Sequence, residues 1–257
     1  MTEAAKILLN LEGIGIDINM GCCAPEIYKH QAGIAWMLKD KNETAKMVRS
    51  VAEQVQSYNS HHENKKRLSV KLRLGNDDFT DELFLSFCDM LVDEGVELLT
   101  LHPRTKKEKL TRPPRYEYCQ KIAERYKNQK VKVYLNGKVS DWNSFNDALV
   151  KAPDVDGVMI STAAVQKPWI FAQLKQLALE PVNMEELSLQ YIEDIEQFQP
   201  PEFWKTRLQR FFTYFSKNFK FSHYAQTQFL NAKDNEDLRK RISDFFYKCP
   251  DERIKIL

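Results

Sequence analysis

Five short apolar runs recur through the first 160 residues, and each is followed by a segment whose apolar residues fall at helical spacing. They occupy residues 15–20 (GIDINM), 68–74 (LSVKLRL), 96–101 (VELLTL), 131–135 (VKVYL) and 155–160 (VDGVMI). Runs this short, rich in Val, Ile and Leu, predict buried strands. Between them, residues 42–57, 80–94, 115–127 and 141–150 predict helices, with Gly95 as the C-cap of the second. A strand-helix alternation calls for a parallel sheet or a βα barrel, because parallel neighbours need crossover connections.

After Pro168 the strand signal stops, and residues 169–179, 184–198, 201–219, 222–231 and 235–247 all predict helices, the last capped by Asp234 or Asn235. Charge changes at the same place. Residues 180–202 carry seven acidic residues and no basic one, and residues 203–223 carry five Lys/Arg and no acid. This places a domain boundary near residue 180, with a βα domain over residues 1–180 and an all-helical domain over residues 181–257.

A formal net charge of +2 excludes nothing by itself. Residues 105–130, however, hold nine Lys/Arg against three Glu, a local pattern that points to a polyanion. Cys22, Cys23, Cys88, Cys119 and Cys249 show no CxxC spacing, so neither a disulfide framework nor a metal site is expected, and a reducing, cytoplasmic setting is. No apolar run approaches the roughly 18–20 residues of a membrane span.

Every expected strand ends in polar or reactive residues that a purely structural strand does not need. Asn19 and Cys22 close the first, Lys71 and Arg73 the second, His102 and Arg104 the third, Asn136-Gly137-Lys138 the fourth, Ser161 and Thr162 the fifth. In parallel βα folds those ends share the face on which ligand sites are built. Each residue alone has a plainer reading: a buried small thiol for Cys22, a satisfied histidine for His102, a turn for Asn136-Gly137, a helix cap for Ser161-Thr162.

The motifs IDINMGC (16–22), VKLRLG (70–75), LTLHPRT (99–105), YLNGKV (134–139) and DGVMISTAAVQKPWIF (156–171), in this order and spacing, resemble the tRNA-dihydrouridine synthases, flavin enzymes that reduce uridine in tRNA. The resemblance covers about residues 5–180 and implies a TIM-barrel-type domain, incomplete here with about five of eight strands. It implies that Cys22 is the general acid protonating uracil C5 while reduced FMN delivers hydride to C6, with NADPH as reductant. A thiol, largely protonated at neutral pH, suits that task. Lys71 and His102 are then expected on the flavin ring, Asn136, Gly137 and Lys138 on its phosphate-side loop, and Ser161 and Thr162 at the phosphate. Asn19 and Arg104 are expected to contact uracil or the tRNA backbone.

Three departures from the family pattern stand out. Cys23 follows Cys22 where the family has Pro, and Thr162 replaces an Arg, removing a charge-assisted phosphate contact. The chain also starts just ahead of the fourth family strand. In the tail, FWKTRLQRFFTYFSKNFKFSHY (203–224) places Trp204, Leu208, Phe211, Phe212 and Phe215 on one helical face and leaves Lys205, Arg207, Arg210 and Lys217 outside. Together with Lys106, Lys107, Lys109, Arg112 and Arg115 they form an expected phosphate path for tRNA. Two other readings are a catalytically impaired tRNA-binding fragment of such an enzyme and a small-molecule flavin reductase on the same barrel.

Overall fold

The computed structural model describes residues 1–108 and 111–256. The chain divides into two compact units, one made of residues 1–139 and 146–159, the other of residues 140–145 and 160–257.

In the first unit, helix α1 (Thr2–Leu9) leads into strand β1 (Gly15–Met20), which is followed by two short helices, α2 (Pro25–Lys29) and α3 (Ala35–Leu38), and the long α4 (Lys41–His61). Then come β2 (Arg67–Leu72), α5 (Asp81–Asp93), β3 (Leu98–Leu101), α6 (Glu117–Tyr126), β4 (Lys132–Asn136), α7 (Trp142–Lys151), whose residues 142–145 belong to the other unit, and β5 (Gly157–Met159). The five strands form one sheet in the order β1-β2-β3-β4-β5, every neighbour pair parallel. The expected α/β class and parallel sheet are therefore present.

Register sorts the side chains by face. Ile18, Val70, Leu99 and Val133 lie abreast, and so do Met20, Leu72, Leu101, Leu135 and Val158. Of these nine, all but Val158 are buried. The alternate row is Asn19, Lys71, Thr100, Tyr134 and Gly157. Because side chains alternate with period two, this polar row shares a face with Asp17 and Ser69, opposite the apolar rows.

Element ends follow local chemistry. Asp40 caps α4 by accepting the Asn42 and Glu43 N–H groups, and Thr80 caps α5 by accepting that of Leu83. At its far end α5 closes through Gly95 N–H to the Val92 carbonyl and Val96 N–H to the Leu91 carbonyl. Val96 therefore belongs to the helix closure, and β3 starts two residues later than the apolar run. At the end of β2, Leu74 N–H goes to the Arg104 carbonyl, so Arg73 and Leu74 fall beyond the strand.

The second unit holds α8 (Thr162–Gln166), α9 (Ile170–Leu174), β6 (Val182–Asn183), α10 (Met184–Phe198), α11 (Pro201–Phe215), α12 (Ser222–Leu230), α13 (Asn235–Lys248) and β7 (Ile254–Lys255). The helix expected over 169–179 is shortened to α9, with Gln176 beyond it at φ +53°. A core of Phe211, Phe212, Phe215, Phe219, Phe229, Phe245 and Phe246 packs edge-to-face and stacked, as aromatic quadrupoles prefer. Leu208, Phe211, Phe212 and Phe215 are buried and Trp204 is partly buried, as the helical spacing of that face requires. Among the described residues no helix is long and apolar enough to cross a membrane.

Candidate functional site

At the carboxyl ends of β1, β2 and β3 the first unit forms an open cavity of about 650 Å³ lined by Asp17, Asn19, Gly21, Cys22, Cys23, Ala24, Pro25, Lys71, Arg73 and His102. Five strand-end residues singled out from sequence, Asn19, Cys22, Lys71, Arg73 and His102, therefore meet in one place.

Hydrogen bonds at three points shape the cysteine loop. Asn19 Oδ1 accepts the N–H groups of Gly21 (3.1 Å) and Cys22 (3.0 Å), folding the chain sharply at the end of β1. Twelve residues on, Ile34 N–H donates to the Cys22 carbonyl at 2.9 Å. Gly33 makes that closure feasible: its φ is +61°, and a Cβ there would lie 2.4 Å from the Cys22 oxygen and 3.1 Å from the Cys22 Cβ. Gly33→Ala is expected to displace the loop, which a changed rate of Cys22 alkylation by iodoacetamide, read by peptide mass spectrometry, would report; an unchanged rate counts against the closure. The amide oxygen of Asn19 is thus occupied in building the loop. Cys22 and Cys23 both remain partly exposed.

The electrostatics of the cavity are set by cations. Lys71 is half-buried, and burial lowers its pKa, with Arg73 adding to the effect and Asp17 and Cys22 opposing it. Among the described residues no carboxylate lies within 4.0 Å of its ammonium. Arg73 is buried, donating through Nε to the Gly21 carbonyl (3.0 Å) and through Nη1 to the Thr105 carbonyl (3.2 Å), and so braces the cysteine loop against the loop after β3. His102 is buried too, its pKa lowered to about 3 by burial first and then by Arg73, Arg104 and Lys71. At neutral pH it is an uncharged imidazole.

Asp17 is the residue that strand-end reasoning missed. It reaches solvent, yet the sheet hems it in, and burial raises its pKa against the pull of the Ser69 hydroxyl, Lys71 and Arg67. Ser69 Oγ donates to its Oδ1 at 2.8 Å. The signal was present in the IDINM alternation, which puts Asp17 on the face of Asn19.

The remaining predicted residues are distributed as follows. Asn136 is buried and donates to the Met159 carbonyl (2.8 Å), tying β4 to β5. Gly137 packs on the His102 ring, and Lys138 is exposed at φ +56°. Arg104 is buried, bonded to His102 and to the Arg112 carbonyl. Ser161 and Thr162 belong to the second unit, exposed at the start of α8. Of the expected phosphate path, Lys107 pairs with Asp77 and Arg115 with Glu108, Lys106 sits 3.3 Å over the Tyr28 ring centroid, Arg112 is exposed, and Lys109 lies outside the described residues. Lys205, Arg207, Arg210 and Lys217 are exposed, with no carboxylate within 4.0 Å among the described residues.

A parallel βα sheet that gathers a thiol, an ammonium and a neutral imidazole at the carboxyl ends of adjacent strands has the architecture of a βα ligand site. The chain belongs to the dihydrouridine synthase family, whose model matches residues 1–248. It is 31% identical over 199 residues to a probable tRNA-dihydrouridine synthase of Helicobacter pylori, a match covering 76% of this chain and 56% of that protein. Similar too are a probable tRNA-dihydrouridine synthase of Aquifex aeolicus (25% identity, 89% of this chain, 69% of that one) and a tRNA-dihydrouridine(20) synthase [NAD(P)+] of Schizosaccharomyces pombe (32%, 63% and 32%). The chain spans about half the length of the first curated relatives it matches, 56% and 48%.

Proposed function

We propose that this chain serves the FMN-dependent reduction of the uridine C5=C6 bond in tRNA, with NADPH as the reductant, in the cytoplasm. The observation that carries the reading is the convergence of Cys22, Lys71 and His102 on one cavity at the strand ends. The relatives named as tRNA-dihydrouridine synthases support it.

The donor set fits an electron-rich planar ligand. A half-buried ammonium with no ion-pair partner among the described residues leaves positive charge that a ligand able to carry negative charge compensates. Lys71 and His102 would hold the ring, and Asn136, Gly137 and Lys138 its phosphate side. When bound, FMN supplies a hydride to C6 of the base. Cys22 donates the proton at C5, from a loop whose backbone Asn19 and Ile34 hold. The Nδ2 group of Asn19 is its part left for the base. Exposed cations of the tail and of the loop after β3 would track tRNA phosphates, and the target base must leave its stack to enter the cavity.

The test is FMN binding by the apo chain. Removing a charge-assisted contact costs about 1.5–3 kcal/mol, so Lys71→Met is expected to weaken FMN binding by roughly 10- to 150-fold in a fluorescence-quenching titration. Equal affinity in the two proteins removes Lys71 from the ring site. A wild-type chain that binds tRNA but no FMN overturns the proposed reaction.

A further inference from the structure

We infer that Arg104 is a positioning residue: it locks His102 as the neutral tautomer with its proton on Nδ1 and presents that N–H to the cavity. Arg104 Nη1 lies 2.5 Å from His102 Nε2. A guanidinium only donates, so Nε2 must be the acceptor, which leaves the single ring proton of a neutral imidazole on Nδ1.

Arg104 is itself held in place. Its Nε donates to the Arg112 carbonyl at 2.6 Å, and its backbone N–H returns to the His102 carbonyl at 2.7 Å. That second bond closes a three-residue turn around Pro103, whose ring fixes φ near the value such a turn requires. The sequence His102-Pro103-Arg104 thus folds the arginine back over the imidazole. One edge of the ring is covered: a Cβ on Gly137 would stand 3.1 Å from His102 Cδ2 and 3.3 Å from Nε2. Nδ1 lies on the other side of the ring. Among the described residues it has no hydrogen-bond partner and is not a buried unsatisfied atom, and His102 lines the cavity.

The charged groups around the ring act in the same sense. Lys71 and Arg73 reach it from β2 and the residues just after it, and Arg104 from the loop after β3; all three oppose a second proton. Asp17 and Cys22 line the same cavity and make no hydrogen bond or ion pair with the ring. The outcome is a neutral, oriented donor, suited to an acceptor nitrogen or carbonyl oxygen of a heteroaromatic ring. Its ligand rests on the FMN reading above; its protonation state does not. On this assignment Arg104 acts through His102 and not by touching uracil.

The experiment is nitrogen NMR of the apo chain labelled at histidine, with His102 assigned by difference from His102→Gln. In the wild type, Nε2 is expected at the unprotonated imidazole position and Nδ1 at the N–H position, unchanged between about pH 5 and about pH 8. Arg104→Met should abolish the single tautomer, while Arg104→Lys, which keeps a donor, should restore it. Loss of one hydrogen bond would also weaken FMN about two- to tenfold in Arg104→Met. A protonated Nε2 in the wild type overturns the inference even if both variants fail to fold. So does an unchanged tautomer in a folded Arg104→Met, or an Arg104→Lys that raises KM for tRNA and leaves the tautomer and kcat alone. If the tautomer is as stated and FMN does not bind, the flavin reading fails and the positioning role stands.

Discussion

Cys22→Ala is expected to lower dihydrouridine formation roughly 10²- to 10⁴-fold, the range for losing a positioned general acid, whereas Cys23→Ala should retain most of the activity. The two thiols are neighbours in sequence and both are partly exposed, so accessibility does not separate them. Backbone restraint does. The Cys22 N–H is bonded to Asn19 Oδ1, its carbonyl accepts the Ile34 N–H, and Gly33 packs against its Cβ. Such restraint limits where Sγ can go, and a proton donor must be held within hydrogen-bond reach of the carbon it serves. Both variants should bind FMN as the wild type does, so a mass-spectrometric assay of dihydrouridine in tRNA, at matched flavin occupancy, reads the proton step alone. Equal activity in the two variants, or a larger loss in Cys23→Ala, refutes the assignment.

The strands were legible because their apolar residues form continuous rows across the sheet. Ile18, Val70, Leu99 and Val133 come from runs far apart in sequence, yet each run had to bury its own face, and parallel register brings them abreast. The same period exposed the polar row, and Lys71 was found through it. What the sequence left open is where a polar side chain spends its hydrogen bonds. Asn19, read as facing the base, gives its oxygen to two backbone N–H groups, and Asn136, read as facing a phosphate, ties β4 to β5. Arg104, read as a substrate contact, is buried on His102. The Met159 carbonyl is brought to Asn136 only by tertiary folding, whereas the partners of Asn19 and Arg104 lie two or three residues away in turns that strand and helix periodicity does not read. Lys107 and Arg115 show the same limit for charge: counted as free cations in a basic stretch, they pair with Asp77 and with Glu108.

Acid should destabilise the first unit well above the pH at which its carboxylates titrate, and His102 should be the cause. The folded-state pKa of this imidazole is about 3, against an ordinary 6.5. Between those values the unfolded chain binds a proton that the folded chain refuses, so stability falls as the pH is lowered from 6.5 toward 3 and is fully present only above 6.5. From about pH 6.5 to about pH 4.5 the loss is about 2 kcal/mol, measured as a drop in urea midpoint followed by circular dichroism. Asp77, Asp81 and Asp89 have lowered pKa values, and their contributions are lost only as pH falls below the ordinary carboxylate range. Asp17, with a raised pKa, works in the opposite sense: the folded state takes up its proton at a higher pH than the unfolded chain does, which favours folding on acidification. The effect of His102 is therefore isolated by the difference from His102→Gln, whose amide oxygen can still accept from Arg104. That variant should show a nearly flat midpoint over the same interval. A wild type as flat as the variant means that His102 takes up its proton in the folded state as readily as in the unfolded one, and the cationic ring of Lys71, Arg73 and Arg104 around it would then have to be abandoned.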